Sequence, residues 1–201
     1  MTLKQKELKV TLEDGSEVDI IVKRPTAKNL QDSSSLGTRV WTQGVRDGLF
    51  TKQSLEIFME ENGIWDKNKE KKQEEYIEKI NTLEKELALG KSNGVKLKVS
   101  EGREKAIEIR RLRNELRRHI SEKISLESNT ADGLAENAKF NFLVSCCTFY
   151  ANGNKVYNSM ADYEDKSEDE ISFQAASALG ELMFQLDKSV EEDLPENQFL
   201  K

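Results

Sequence analysis

Two highly charged segments with helical periodicity, residues 69–89 and 100–129, flank a short glycine-containing linker at residues 90–94. Each segment carries apolar residues at intervals of three and four, and nearly every other position is charged. This spacing places one narrow apolar stripe on each helix, as in a coiled coil. We therefore predict an antiparallel helical hairpin. Its stripes are Tyr76, Ile77, Ile80, Leu83 and Leu87 in the first segment, and Ile109, Leu112, Leu116, Ile120 and Ile124 in the second.

Composition is typical of a helix-rich soluble protein with a thin core, since 36% of the residues are hydrophobic and 34% are charged. A net charge of −6 disfavours general affinity for nucleic acid. No apolar run approaches the roughly 20 residues that span a bilayer, and the N-terminus does not resemble a signal peptide. We expect no membrane partner. Because the two cysteines are adjacent, a reducing compartment such as the cytoplasm fits best.

The N-terminal region predicts a small β-hairpin. Residues 8–12 and 17–23 alternate apolar and polar side chains, and Asp14-Gly15 between them is a strong turn signal. A two-stranded hairpin is marginal alone, so we expect it to pack on a helix or on another subunit.

Most of the remaining chain predicts helices. The first, capped by Thr26 and running to about residue 49, is weakened by serines and glycines that break its pattern over residues 33–48. The others are a helix from Thr51 or Lys52 to Asn62 that buries Leu55, Ile57, Phe58 and Met59; a core helix over 130–150; a turn or short helix over 160–165; and a helix that starts at a capping box over 167–170 and runs to about residue 186.

These elements predict a mainly α fold: a helical bundle with a projecting, coiled-coil-like antiparallel helical hairpin and a small N-terminal β-hairpin. We expect one domain with five regions in chain order. They are the β-hairpin (1–25), short helices (26–65), the helical hairpin arm (66–129), core helices (130–190) and a C-terminal tail (191–201).

No residue set predicts catalysis, cofactor binding or a metal site. His119 is the only histidine, which excludes histidine triads, and we expect it to be structural. Cys146-Cys147 lacks the Cys-x-x-Cys spacing and has apolar neighbours, so both are expected to be buried packing residues. Acidic residues at 164–165 and 168–170 lack the ligand alternation and central glycine of an EF-hand. Gly-Lys-Ser at 90–92 lacks the upstream glycine of a P-loop.

One side of the second hairpin segment is rich in arginine. Arg103, Arg110, Arg113 and Arg117 fall within about 80° of the helix circumference at roughly 100° per residue. They could contact nucleic-acid phosphates. However, this segment has no aromatic residues for base stacking, and glutamates are interleaved with the arginines. We favour the alternative in which the arginines pair with the acidic first segment or with a protein partner.

The tail ends in an apolar tip, Phe199-Leu200, on a proline-containing segment. Such a segment can fray or can dock into a groove, and the sequence leaves both open. The predicted partner-binding residues are therefore the four arginines above together with Phe199 and Leu200.

Several stretches carry a resemblance to a known class of proteins. They are residues 10–22 with the Asp14-Gly15 turn, 24–28, 63–66, 110–116, 141–145 and 194–200. In their order they resemble small accessory proteins of tailed bacteriophages, particularly marine T4-like myophages. Within that class the chain is similar to the tail assembly chaperone, an acidic helical protein that coats the tape-measure protein, and to baseplate or neck components. No functional residue is carried over.

The resemblance implies a non-enzymatic phage protein in virion tail assembly, acting as a protein-binding chaperone or as a structural component. The expected partners are the tape-measure protein, tail or baseplate subunits, and the chain itself. The expected location is the host cytoplasm during assembly, or the virion. The alternative is a nucleic-acid-associated regulator that uses the arginine side of residues 100–129.

Overall fold

The computed structural model describes residues 4–92, 94–184 and 193–200. This part of the chain forms eight helices and two small antiparallel sheets, which confirms the mainly α fold with an N-terminal β-hairpin. None of the helices in it is long and apolar enough to cross a membrane. In chain order the elements are β1 (Gln5–Thr11), β2 (Glu17–Lys23), α1 (Ala27–Arg46), α2 (Lys52–Glu61), α3 (Lys67–Leu89), β3 (Lys91–Ser92), β4 (Val95–Lys96), α4 (Val99–Glu127), α5 (Ala131–Cys147), β5 (Thr148–Tyr150), α6 (Met160–Asp165), α7 (Glu170–Phe184) and α8 (Pro195–Phe199).

The chain divides into two compact units. The first comprises residues 1–49 and 131–187, and the second comprises residues 50–130 and 188–201. The first unit contains the three-stranded sheet with α1, α5, α6 and α7. The second contains α2, the helical hairpin α3–α4 and the C-terminal helix α8.

The predicted N-terminal β-hairpin forms β1 and β2 of the first unit. Gly15 takes a φ of 81° in the turn, and Asp14 accepts hydrogen bonds from the backbone N–H and the hydroxyl of Ser16. Val10, Ile20 and Val22 are almost fully buried on one face of the sheet. This face packs on α5 and α7, which supply the apolar cover that a hairpin lacks by itself.

The predicted helix over residues 130–150 is too long. Helix α5 ends at Cys147, and the next three residues form β5, which pairs antiparallel with β2. The physical reason is local. Thr148, Phe149 and Tyr150 are β-branched or aromatic, and they complete the edge of β2 that β1 leaves unpaired.

Helix α1 starts after the predicted cap, Thr26, and is continuous to Arg46, so the serines and glycines over residues 33–48 do not interrupt it. The small residues Ser33, Gly37 and Gly44 are its buried positions. They face α5, where a Cβ built on Gly44 would lie 3.1 Å from Ala131 Cβ. The glycines therefore allow close approach of two helices, which compensates for their low helix propensity.

Helix α7 begins at Glu170, so Ser167 of the predicted capping box lies three residues before the helix, where its backbone N–H donates to the Glu164 carbonyl oxygen at 3.2 Å. The Glu170 carboxylate instead accepts a hydrogen bond from Gln174 Nε2 at 2.8 Å. Ala175, Leu179 and Leu182 of α7 are buried in the core of the first unit. The predicted end of this helix near residue 186 lies outside the described residues.

Helix α2 of the second unit begins at the predicted cap, Thr51. Leu55 and Met59 form a small buried cluster with Trp65. Ile57 and Phe58 are exposed, which corrects the prediction that all four apolar residues of α2 are buried. At about 100° per residue, Ile57 lies opposite Leu55 and Met59, and Phe58 lies on the flank of the ten-residue helix, about 80° from their midline.

The predicted helical hairpin forms α3 and α4. Asp66 caps α3 by accepting from two backbone N–H groups, and Gly90 ends it at a φ of 60°. The predicted linker over 90–94 contains β3, which pairs with β4 directly after the linker. Ile77 and Ile124 of the predicted stripes are exposed, whereas Ala106 joins the hairpin core. That core comprises Ile80, Leu87, Ala106, Ile109 and Leu112, flanked by Tyr76, Leu83, Leu116 and Leu200.

Candidate interaction surface on the helical hairpin

The C-terminal segment, residues 193–200, docks on the arginine side of the hairpin. Its helix α8 has only five residues and starts with Pro195 at its first position. A helix of this length is not stable alone in water, because the first turn fixes several residues for a single hydrogen bond. Its order therefore depends on side-chain contacts with α3 and α4.

Arg113 of α4 is at the centre of these contacts. Its Nε donates to Glu196 Oε1 at 2.6 Å, and its Nη2 donates to Glu84 Oε1 on α3. The Glu196 side chain is only 1% exposed. One guanidinium thus bridges two carboxylates, one from the hairpin and one from the C-terminal segment.

The Arg113 site does not satisfy all of its polar atoms. Glu196 Oε2 is buried and has no hydrogen-bond partner among the described residues. A buried acceptor left unpaired costs about 1–3 kcal/mol. Docking of the segment is therefore partly offset by the burial of Glu196.

Arg110 adds a second polar contact at the edge of the site. Its Nε and Nη2 both donate to Asn197 Oδ1, at 3.0 and 2.6 Å. Arg110 is exposed, so this contact is open to competition from water.

The apolar end of the segment packs on a glycine of α4. A Cβ built on Gly102 would lie 2.4 Å from Phe199 Cζ, so only glycine accommodates the phenyl ring there. Phe199 is still 41% exposed. Leu200 packs against the hairpin core. A glycine within a long charged helix thus has a packing role, because it creates space for an aromatic anchor.

The structure brings together four of the six predicted partner-binding residues. Arg110, Arg113, Phe199 and Leu200 meet in one intramolecular contact, whereas Arg103 and Arg117 are exposed elsewhere along α4. Sequence reasoning missed Glu84, Gly102, Glu196 and Asn197. The only sequence signal for Gly102 was its position inside a charged helix, where glycine has low helix propensity. The acidic partners of Arg113 had no signal in the sequence, because the chain contains many glutamates that could have paired with it.

A neighbouring arginine on α4 is engaged within its own helix. Arg111 donates to Glu108 at 2.6 and 2.9 Å and lies 3.5 Å from Glu115. This pairing lowers the pKa of Glu108 and raises that of Arg111. The expectation that arginines of α4 pair with the acidic first segment holds for Arg113, which contacts Glu84 of α3, whereas Arg111 pairs within α4.

His119 lies in a packed aromatic site of the second unit. It is 8% exposed, its Nε2 is 2.9 Å from the Lys69 carbonyl oxygen, and its ring centroid is 4.7 Å from that of Trp65. Tyr76 approaches its ring edge-on. These contacts give His119 of α4 a structural role, because they join it to α3 and to Trp65.

Clustered ligands for a metal ion are absent from the described residues: no group of three or more histidine, cysteine, aspartate or glutamate side chains converges there. Asp162, next to the acidic stretch at 164–165, accepts hydrogen bonds from Lys166 and from the Asn158 N–H, and these contacts lower its pKa.

Comparisons with protein families, with curated proteins and with solved structures find no match to this chain.

Proposed function

We propose that the protein is a non-enzymatic, protein-binding component of tailed-phage virion assembly, most directly of tail assembly, and that its helical hairpin receives short acidic helical segments. The phage context rests on the sequence resemblance. The binding mode rests on one observation: the docking of the C-terminal segment through Arg113, Arg110 and Gly102.

The docked segment supplies the chemistry of a partner. A short helix that presents a carboxylate, an amide and an aromatic ring is held by two arginines and a glycine gap. Short helices in grooves are a common mode of protein recognition. Arginine and aromatic residues also contribute disproportionately to binding energy at interfaces.

The contacts of the C-terminal segment would allow a partner segment to replace it on the hairpin. Glu196 is buried with one unpaired oxygen, Arg110 contacts Asn197 at an exposed edge, and the Phe199 ring remains partly in water. A partner segment that places its own carboxylate at Arg113 with both oxygens hydrogen-bonded would compete favourably for the same surface.

Exposed apolar residues support a protein partner as well. Trp41 and Val45 of α1 lie one turn apart and are both substantially exposed, while the small residues of that helix are buried. Large apolar side chains grouped at a surface commonly mark protein interaction sites.

A peptide-binding experiment tests the proposed mode. The probe is a fluorescent peptide with the sequence of residues 193–200, titrated into the full-length chain carrying Phe199→Ala. This substitution weakens the internal competitor, so we expect saturable binding that is tighter than to the wild type. Adding Arg113→Ala to Phe199→Ala should abolish it. Phe173→Ala, an exposed phenylalanine of α7, is the matched control and should behave as the wild type. Equal binding to all variants, or none to any, would contradict the proposal.

The chaperone and structural versions differ in where the protein ends up. A chaperone leaves before the particle matures, so mass spectrometry of purified virions should not detect it. Many copies per particle would favour a structural tail or baseplate component. Pull-down of tagged Phe199→Ala chain from infected cells, with Phe199→Ala/Arg113→Ala as the control, would identify partners that need the hairpin site.

The nucleic-acid alternative has less support. Arg110, Arg111 and Arg113 are engaged with side chains of the same protein. Filter binding at low and high salt tests it, because phosphate contacts give an affinity that falls steeply with salt.

A further inference from the structure

The two adjacent cysteines at the end of α5 lie in different environments. Both are free thiols, and their sulfur atoms are 3.7 Å apart. Cys147 is 3% exposed and belongs to the core of the first unit. Cys146 is half-buried and lines a cavity of about 340 Å³. The expectation that both are buried packing residues therefore holds for Cys147 only.

The cavity around Cys146 is polar and carries positive charge. Asn29 Nδ2 donates to Cys146 Sγ at 3.2 Å. Lys28 and Lys155 line the same cavity together with one carboxylate, Asp32, so the lysines outnumber the acid by one. A polar, positively charged and accessible site is the environment that makes a cysteine reactive, whereas a cysteine in an apolar core is inert.

The two thiols have different roles in their shared hydrogen bond. Donation by the Cys147 thiol lowers the pKa of Cys146, and Lys155 and Asn29 act in the same direction. The pKa of Cys147 is raised, first by this hydrogen bond and then by burial. These opposite shifts favour the charged form at Cys146 relative to Cys147.

We propose that Cys146 is a peroxide-reactive modification site, with Cys147 as a positioning residue that stabilises its thiolate. In the reaction the Cys146 sulfur attacks one oxygen of hydrogen peroxide. The S–O bond forms as the O–O bond breaks, the sulfur is oxidised by two electrons to sulfenic acid, and the leaving hydroxide takes up a proton from the solvent to become water.

Modification of Cys146 would act on the start of α1 through Asn29. The Asn29 side chain uses its Oδ1 to accept from the Thr26 N–H in the capping box of α1, and its Nδ2 to donate to Cys146. An added oxygen on the sulfur changes the acceptor that Asn29 faces. N-cap interactions stabilise helix ends, so oxidation has a route to loosen this one.

The test treats the reduced full-length protein with hydrogen peroxide, traps sulfenic acid with dimedone and locates the adduct by peptide mass spectrometry. We expect the adduct on Cys146 and not on Cys147. A labelling rate no higher than that of an unstructured cysteine peptide, or preferential labelling of Cys147, would overturn the proposal. A product lighter by two hydrogens would also overturn it, because Cys147 would then be a resolving thiol.

Testing the positioning role of Cys147 requires a measurement that a change in core packing alone would not alter. This readout is the pH profile of Cys146 alkylation by iodoacetamide. Cys147→Ala removes the donor, so the profile should shift to higher pH and the rate at neutral pH should fall roughly tenfold for each unit by which the pKa of Cys146 rises. Cys147→Ser keeps a donor and should restore the wild-type profile. An unchanged profile in folded Cys147→Ala protein contradicts the role.

Discussion

Two helix pairs, one in each unit, bury their contacts in opposite ways. Helices α1 and α5 meet through glycines of α1, with Gly44 against Ala131 and Gly37 against the side chain of Lys139. Helices α3 and α4 meet through a stripe of aliphatic side chains. The first contact needs small side chains and the second needs large ones. The two should therefore respond oppositely to changes in side-chain size.

The largest effect is expected for truncation in the hairpin stripe. Ile109 of α4 is fully buried, so Ile109→Ala removes apolar contacts and leaves a cavity. We expect a loss of about 3 kcal/mol in the free energy of unfolding, measured by chemical denaturation. Ile107→Ala, at an exposed position of the same helix, should change it by less than about 0.5 kcal/mol. Similar losses for both would show that the stripe does not hold the hairpin.

Enlargement should be the damaging change in the α1–α5 pair. A Cβ at Gly44 would already crowd Ala131 Cβ and Leu49 Cδ1, at 3.1 and 3.2 Å. Gly44→Leu should therefore push the helices apart and cost about 2 kcal/mol of unfolding free energy. Gly180→Leu is the control, since nothing lies within 4 Å of a Cβ at Gly180. Tolerance of leucine at Gly44 would contradict the close approach.

A smaller effect is expected at the end of the hairpin, from pH. The pKa of Glu86 is lowered, first by its hydrogen bond with Lys105 and then by Ser92. A carboxyl whose pKa is lower in the folded state stabilises the fold above its unfolded pKa, and this stabilisation is lost as pH falls through the folded value. Glu86→Gln should therefore reduce the loss of thermal stability below about pH 4.5. Identical acid profiles would exclude the contribution.

The same contrast explains which parts of the fold could be predicted from sequence. The hairpin is visible because its large apolar residues repeat at helical spacing, and the Asp14-Gly15 turn is visible because its chemistry is local. Helix α1 was predicted to be weak because glycines and serines lower its propensity, and these residues include its buried positions, where contact with α5 offsets that cost. Strand β5 depends on pairing with β2, which is distant in sequence.

The candidate surface was predictable in part for a similar reason. Helical geometry placed Arg110 and Arg113 on one side of α4, and the apolar tip of the chain marked Phe199 and Leu200. Their meeting could not be derived, because many carboxylates could have paired with Arg113. The structure selects Glu84 and Glu196. Gly102, whose missing side chain admits Phe199, had no local signature beyond its position in a helix.

The most direct test of the account is amide hydrogen exchange in the C-terminal segment. The N–H groups of Asn197, Gln198 and Leu200 donate within α8, which is too short to persist unless it is docked. We predict measurable protection of these amides in the wild type. Gly102→Ala should abolish it, because the new methyl group displaces Phe199 while it raises the helix propensity of α4. Absence of protection in the wild type, or equal protection in Gly102→Ala, would contradict docking of the segment on the hairpin.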